Sequence, residues 1–246
     1  MASRVVIKLS GEQLGGGPGS LFGDEVIGGI VCQIKQAVQQ GTQAAVVVGG
    51  GNLWRGRSAG SGMNRVKADQ IGMLATVMNA IYLEDAFRQN GVLAKVMTPA
   101  PVINFTTIYE KDKALKMMAG GSVVICAAGL GHPLFSTDTV TALRACELEA
   151  DIALFAKTVD GVYTADPRRD PAAKKYKSLS YAHGIKNGLG IADMAALHML
   201  EGAGIPSYVF KLDANRSIEL ACKYPKTENL EGTYLCPKSQ EEFYGH

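Results

Sequence analysis

Short runs of apolar, often β-branched residues recur along the chain and are punctuated by glycine-rich turns: Arg4 to Leu9, Ala44 to Val48, Ala94 to Met97, Ser122 to Ala127 and Ile152 to Ala156. Each run is too short for a helix and too continuously apolar for a strand with one wet face, so each reads as a strand buried on both sides. Helical spacing fills the gaps. Asp24 can cap a helix carrying Val26, Ile27, Ile30, Ile34 and Val38 until Gly41 stops it. Further helices are expected at about Lys67 to Asn90, Lys111 to Ala119 and Thr137 to Leu148. This alternation predicts an α/β fold, a three-layer sandwich around a central, mainly parallel sheet.

Around Gly161 to Pro171 the pattern changes to Asp, Gly and Pro clusters. Helices follow near Asp193 to Glu201 and Asn215 to Lys223, with strands at Tyr208 to Lys211 and Thr233 to Leu235. No linker or repeat separates the parts. One domain over residues 1–246 is expected, with two lobes meeting at a cleft and the N-terminal lobe ending near Ala150.

Composition removes several classes of function. With 25 basic and 23 acidic residues and no run of either sign, nothing supports nucleic-acid or membrane-surface binding, and any anion site must be local. The five cysteines show no CxxC spacing and read as small buried hydrophobes rather than a metal or disulfide framework. The N-terminal MASRVVIKLSG lacks the pattern of a signal or transit peptide, and no apolar stretch reaches membrane-spanning length, so the cytoplasm is expected.

In an open α/β sheet ligands bind beyond the carboxyl ends of the strands. The residues there are Lys8-Leu9-Ser10-Gly11, Gly49-Gly50-Gly51-Asn52 with Arg55, Gly129 to Asp138, and Lys157 to Asp166. The GGGN turn can present backbone N–H groups to an anion, and Arg55 offers a guanidinium fork for phosphate; a tight turn alone is the plainer reading of the glycines. There is no GxxxxGK[ST] phosphate loop and no GxGxxG opening a helix after a strand. The stretch Gly15 to Gly19 reads as a flexible loop.

KLSGE at Lys8 to Glu12, GGGNLWRG at Gly49 to Gly56, GMNRVKADQIGMLATVMNA at Gly62 to Ala80 and VDGVYTADP at Val159 to Pro167 closely resemble the bacterial UMP kinases of the amino acid kinase superfamily. The resemblance covers nearly the whole chain and is loosest in Thr98 to Gly121 and the last stretch. It implies transfer of the ATP γ-phosphoryl group to UMP, giving UDP for pyrimidine nucleotide biosynthesis, with Mg²⁺ accompanying ATP. The N-terminal lobe would take the acceptor and the C-terminal lobe ATP.

The resemblance places Lys8, Leu9, Ser10, Gly11, Gly51 and Arg55 on the ATP side, together with Lys157, Tyr163 and Asp166 of the adenine-binding part. On the UMP side it places Gly50, Asp69 and the segment Leu130, Gly131, His132, Pro133, Leu134, Phe135, Ser136 and Thr137. Lys8 and Arg55 are expected to carry the transfer, with Asp138 and Asp193 orienting Lys8 or holding Mg²⁺. For Asp69, Asp138 and Asp193 a helix-capping role is the alternative, and for Tyr163 and Asp166 a Gly-Asp-Pro turn. No metal ligand is assigned, since Mg²⁺ would ride mainly on the ATP phosphates.

The chain departs from the common form at Leu130 and His132, where relatives carry a hydroxyl residue and asparagine, and at Lys157, which stands where a threonine is usual. No general base is expected, because the acceptor phosphate is already largely ionised at neutral pH. Relatives are hexamers and some respond to GTP and UTP, so a homohexamer under allosteric control is implied. Two other readings are a non-catalytic nucleotide-binding or metal-storage relative and a kinase for another small phosphate such as isopentenyl phosphate. Joint retention of Lys8, Arg55, Asp69 and Asp138 argues against the first.

Overall fold

A computed structural model describes residues 3–16, 20–54, 62–213, 216–223 and 231–244. Arg55, the Gly17 to Gly19 end of the Gly15 to Gly19 stretch, and Asn215 at the start of an expected helix lie outside these residues. The elements in chain order are β1 (Arg4–Leu9), α1 (Gly11–Leu14), α2 (Asp24–Gln39), β2 (Gln43–Val48), α3 (Arg65–Gln89), β3 (Ala94–Thr98), β4 (Thr107–Ile108), α4 (Lys111–Ala119) and β5 (Val123–Cys126). There follow α5 (Thr137–Glu147), β6 (Ile152–Lys157), β7 (Tyr176–Leu179), α6 (Tyr181–Lys186), α7 (Met194–Ala203), β8 (Ser207–Lys211), α8 (Ser217–Cys222), β9 (Gly232–Leu235) and β10 (Glu242–Phe243).

All the described strands join one sheet in the order β10-β7-β9-β8-β6-β1-β2-β5-β3-β4. From β8 to β4 neighbouring strands are parallel; β9 runs antiparallel to β8, and β10 to β7. Side chains alternate across the pleat, so each central strand feeds two cores. Val5, Ile7 and Leu9 of β1 join the cluster under α2, α3 and α8, while Val6 joins the one under α4, α5, α6 and α7. Burial on both faces explains why these strands read as continuous apolar runs. The α/β class with helices on both sides stands.

Pairing brings distant sequence together. Lys8 lies beside Val47 on one side and Phe155 on the other, so the ends of β1, β2 and β6 form one ledge. Lys8 has the same parity as Val6, and Lys157 the same as Ala153 and Phe155, which turns both lysines toward the α5 face.

Several local expectations change. Asp24 is the first residue of α2 rather than its cap, which is Gly23, and its carboxylate accepts from Tyr82 Oη. The first-turn role foreseen for Asp69 falls to Asn64, whose side chain caps α3 by accepting from the amides of Val66 and Lys67. Asp138 is likewise inside α5; its cap is Ser136. Asp193 does cap α7. All five cysteines are free, but only Cys126 and Cys222 are buried; Cys146 and Cys236 are half-buried and Cys32 is exposed on α2. Among the described residues no helix is long and apolar enough to cross a membrane.

Candidate functional site

The ledge at the strand ends carries the charge. Lys8 Nζ lies 3.3 Å from Asp138 Oδ1, and both side chains are largely buried, at 13% and 18% exposure. That oxygen makes no hydrogen bond, so the pair is a Coulombic contact that leaves a buried acceptor open. Lys157 reaches the same ledge from β6 and donates to the carbonyl of Ile191. Burial, reinforced by Lys8, holds the Lys157 ammonium below the ordinary lysine range, with Asp138 partly offsetting both. Lys157, expected on the ATP side, therefore stands with Lys8 and Asp138 rather than beside Tyr163 and Asp166.

Asp193 sits beside this group without pairing with Lys8. One carboxylate oxygen caps α7 at 2.9 Å from Ala196 N, and the other accepts from Ser136 Oγ and, at 2.7 Å, from Thr139 Oγ1. Burial pushes this carboxyl up, but the bonds from Ser136, Thr139 and Ala196 outweigh it and keep it below the usual carboxylate range. Asp193 thus ties α7 to the first turn of α5, where it holds Asp138 in register. The expectation that it orients Lys8 directly is replaced by this indirect role.

The glycine turns abut. A Cβ on Gly11 would stand 2.4 Å from Gly51 N and 2.8 Å from Gly49 O, so the β1 and β2 turns approach as only glycine permits. On Gly50 it would meet the Gly72 carbonyl and the Ala75 Cβ at 2.8 Å, which seats the GGGN turn on α3. The buried Asn79 fixes the turn by donating to Gly49 O at 2.7 Å and to Asn52 Oδ1 at 2.8 Å. Ser10 closes β1 as the cap residue of α1, its hydroxyl donating to Gln13 Oε1.

Beyond that turn lies a cavity of about 320 Å³ walled by α3, the ends of β2 and β5, and the segment leading into α5. Of the residues assigned to the UMP side, Gly50, Asp69, His132, Pro133, Leu134, Phe135, Ser136 and Thr137 line it. Leu130 does not; its side chain packs into the core beneath α5, and Gly131 is also absent from the wall. Asp69 accepts from Arg65 Nε at 2.9 Å and from the amide of Leu134 at 3.0 Å. Trp54, Arg65 and Thr76 line the cavity without having been singled out from the sequence. Arg65 stood in the GMNR motif, but placing the helix start at Lys67 left it in a loop; as the first residue of α3 it turns its guanidinium to the cavity.

A second groove, of about 350 Å³, lies along the turn after β6. It is lined by Val159, residues 161–168 and residues 187–190, so Tyr163 and Asp166 belong to it and Lys157 does not. Tyr163 Oη donates to Asp160 Oδ1 at 2.9 Å, and Lys175 Nζ reaches Asp160 Oδ2 at 3.0 Å. The Asp166 carboxylate accepts from Arg168 N at 3.0 Å and from Arg168 Nε at 3.1 Å, so it organises its own Asp-Pro turn.

Two pockets near a ledge of two lysines and a carboxylate, one reaching Ser136 and Thr137 beside Asp138 and the other reaching Gly190 beside the carbonyl that Lys157 holds, suit the handling of two anionic ligands with charge cancellation between them. The model of the amino acid kinase family matches residues 3–211. Among solved structures, a UMP kinase from Bacillus anthracis superposes with a TM-score of 0.93 at 31% identity, covering 99% of both chains. A UMP kinase from Ureaplasma parvum gives 0.88 at 31% identity, over 95% of this chain and 98% of that one. A uridylate kinase from Archaeoglobus fulgidus gives 0.73 at 29% identity, over 94% and 99%.

Proposed function

The chain belongs to the amino acid kinase family, and from that premise we propose that it is a UMP kinase, moving the γ-phosphoryl group of ATP onto the phosphate of UMP. The observation that carries this reading is the similarity to solved UMP kinases over essentially the full length of both chains. UMP occupies the α3 cavity, with Asp69 at the ribose and Arg65 as a described cation facing the nucleotide. ATP lies along the turn groove, its adenine beside Tyr163, and its phosphates run toward Lys8.

An oxygen of the UMP phosphate attacks the γ-phosphorus, and the bond from that phosphorus to the β,γ-bridging oxygen breaks, so UDP forms and ADP leaves. The acceptor is ionised and needs no base. What the transition state needs is in-line positioning and cancelled charge. Lys8 and Lys157 supply positive charge at the junction, and Asp138 holds Lys8 while restraining its reach. Arg55 completes this reading from the sequence side.

Mg²⁺ binds carboxylates sparingly and prefers phosphate oxygens and water. The buried, unbonded Oδ1 of Asp138 fits one such ligand position, and among the described residues no group of three or more His, Cys, Asp or Glu offers a cage of its own. When bound with ATP the ion would offset phosphate charge during transfer.

The α3 face carrying Ile71, Leu74, Met78 and Ile81 is exposed and apolar, and supports self-association, to the hexamer that the resemblance implies. The cytoplasm, where free thiols persist, suits such an enzyme. Purified protein given ATP, Mg²⁺ and UMP, CMP, dTMP or isopentenyl phosphate should form UDP fastest, by chromatography of the products. Faster turnover of isopentenyl phosphate, or no UDP, would reject the reading.

A further inference from the structure

The segment from Ala128 to Leu134, whose Gly129, His132, Pro133 and Leu134 line the α3 cavity, bends through four left-handed positions: Ala128 at φ +58°, Gly129 at +59°, Gly131 at +81° and Leu134 at +74°. Glycine takes these angles freely, but Ala128 and Leu134 carry a Cβ that crowds the backbone there. Something must hold both residues in place.

Helix α3 meets each of them. Thr76 Oγ1 accepts from the amide of Ala128 at 2.7 Å, and Asp69 Oδ2 accepts from the amide of Leu134 at 3.0 Å. The two side chains stand seven residues apart, about two turns, and so share a face of α3. The Thr76 hydroxyl is fully committed: it donates to the Met73 carbonyl at 2.7 Å, which leaves its lone pairs for Ala128. Thr76 is buried, at 8% exposure, and lines the cavity together with Asp69. It also borders the GGGN turn, since a Cβ on Gly50 would come within 3.2 Å of Thr76 N.

We propose that Thr76 is a positioning residue for the acceptor site, pinning the start of the Ala128 to Leu134 segment as Asp69 pins its end, so that the cavity wall is set before the ligand arrives. This rests on the UMP kinase reading. Asp69 then has two tasks, one toward the ligand and one toward the protein, whereas Thr76 has only the second. Replacing its hydroxyl by a methyl group leaves the Ala128 amide without a partner next to an apolar surface and removes the restraint on a strained angle.

The test is Thr76→Val against Thr76→Ser, read by steady-state kinetics and by calorimetric titration of UMP. Thr76→Val should raise the UMP KM and Kd about tenfold, with the ATP KM and kcat within about twofold of wild type. Thr76→Ser should stay within about threefold throughout, because its hydroxyl can make both bonds. Adding Ala128→Gly to Thr76→Val should recover part of the UMP affinity, since glycine needs no restraint at φ +58°. If Thr76→Val does not fold, Thr76→Ala, which removes the hydroxyl without adding bulk, is held to the same limits.

Unchanged UMP affinity, an equal rise in the ATP KM, or a serine variant as weak as the valine variant overturns the proposal. A wild type that makes no UDP overturns the underlying reading and the proposal with it. A wild type that makes UDP while the variants behave alike overturns the proposal alone.

Discussion

The α3 cavity and the turn groove are of similar size, about 320 and 350 Å³, but they are held open by different means. The cavity leans on one 25-residue helix, which contacts the GGGN turn through glycine-only distances and anchors a strained wall through Thr76 and Asp69. The groove lies between residues 187–190 and a turn that organises itself, through Tyr163, Asp160 and Lys175 on one side and Asp166 with Arg168 on the other. On the proposed reading, a rigid helix holds one shape of acceptor, whereas a turn with its polar groups already paired presents backbone and ring surface to the donor. Selectivity for the acceptor should thus be concentrated on the α3 side.

The largest effect should come from the Lys8 ledge, which on the proposed reading lies between the two ligands. Lys8→Ala should lower kcat about 10²- to 10³-fold, as removal of a preorganised transition-state contact does, with smaller changes in both KM values. A loss confined to one substrate's KM would assign Lys8 to a single pocket. Arg65→Ala should separate the pockets, raising the UMP KM about tenfold or more while the ATP KM stays near wild type. Equal changes for both substrates would erase the contrast.

Lys157→Met tests the ledge from the side of stability. Its ammonium is held below its free value of 10.5 by burial, so the unfolded chain binds more protons and the charged form costs stability at neutral pH. That cost fades as pH rises through the folded pKa toward 10.5. The variant should melt roughly 2–4 °C higher at pH 7 while losing about tenfold in kcat, and its advantage in stability should shrink in the alkaline range. A variant that is both less stable and fully active would show Lys157 to be a structural residue. The smallest effect belongs to Tyr163→Phe, which loses the bond to Asp160; the ATP KM should rise about two- to threefold and the UMP KM should not move.

How much of this could be read in advance differs along the chain for physical reasons. The central strands were legible because burial on both faces leaves a run of apolar residues with few other interpretations, and the cavity was largely legible because GGGN and GMNR sit at its rim. Strands β4, β7 and β10 escaped notice: two are only two residues long, and Tyr-Lys-Ser-Leu of β7 carries polar residues among its buried ones. Lys157 was expected on the ATP side with the Tyr163 segment, and strand parity, visible only once β1 and β6 are paired, brings it to Lys8. Thr76 gave no signal at all. A threonine inside an apolar helix looks like packing until the backbone that it holds comes into view from fifty residues away.

The phosphoryl group, on the proposed reading, passes directly between two nucleotides at the Lys8 ledge. A rapid-quench single-turnover experiment with γ-labelled ATP, Mg²⁺ and UMP tests it most directly. The label should pass from ATP into UDP in the wild type at the rate at which ATP disappears, and that transfer should collapse in Lys8→Ala. Label released as free phosphate with UMP unchanged, or transfer at full rate without the Lys8 ammonium, would contradict the account.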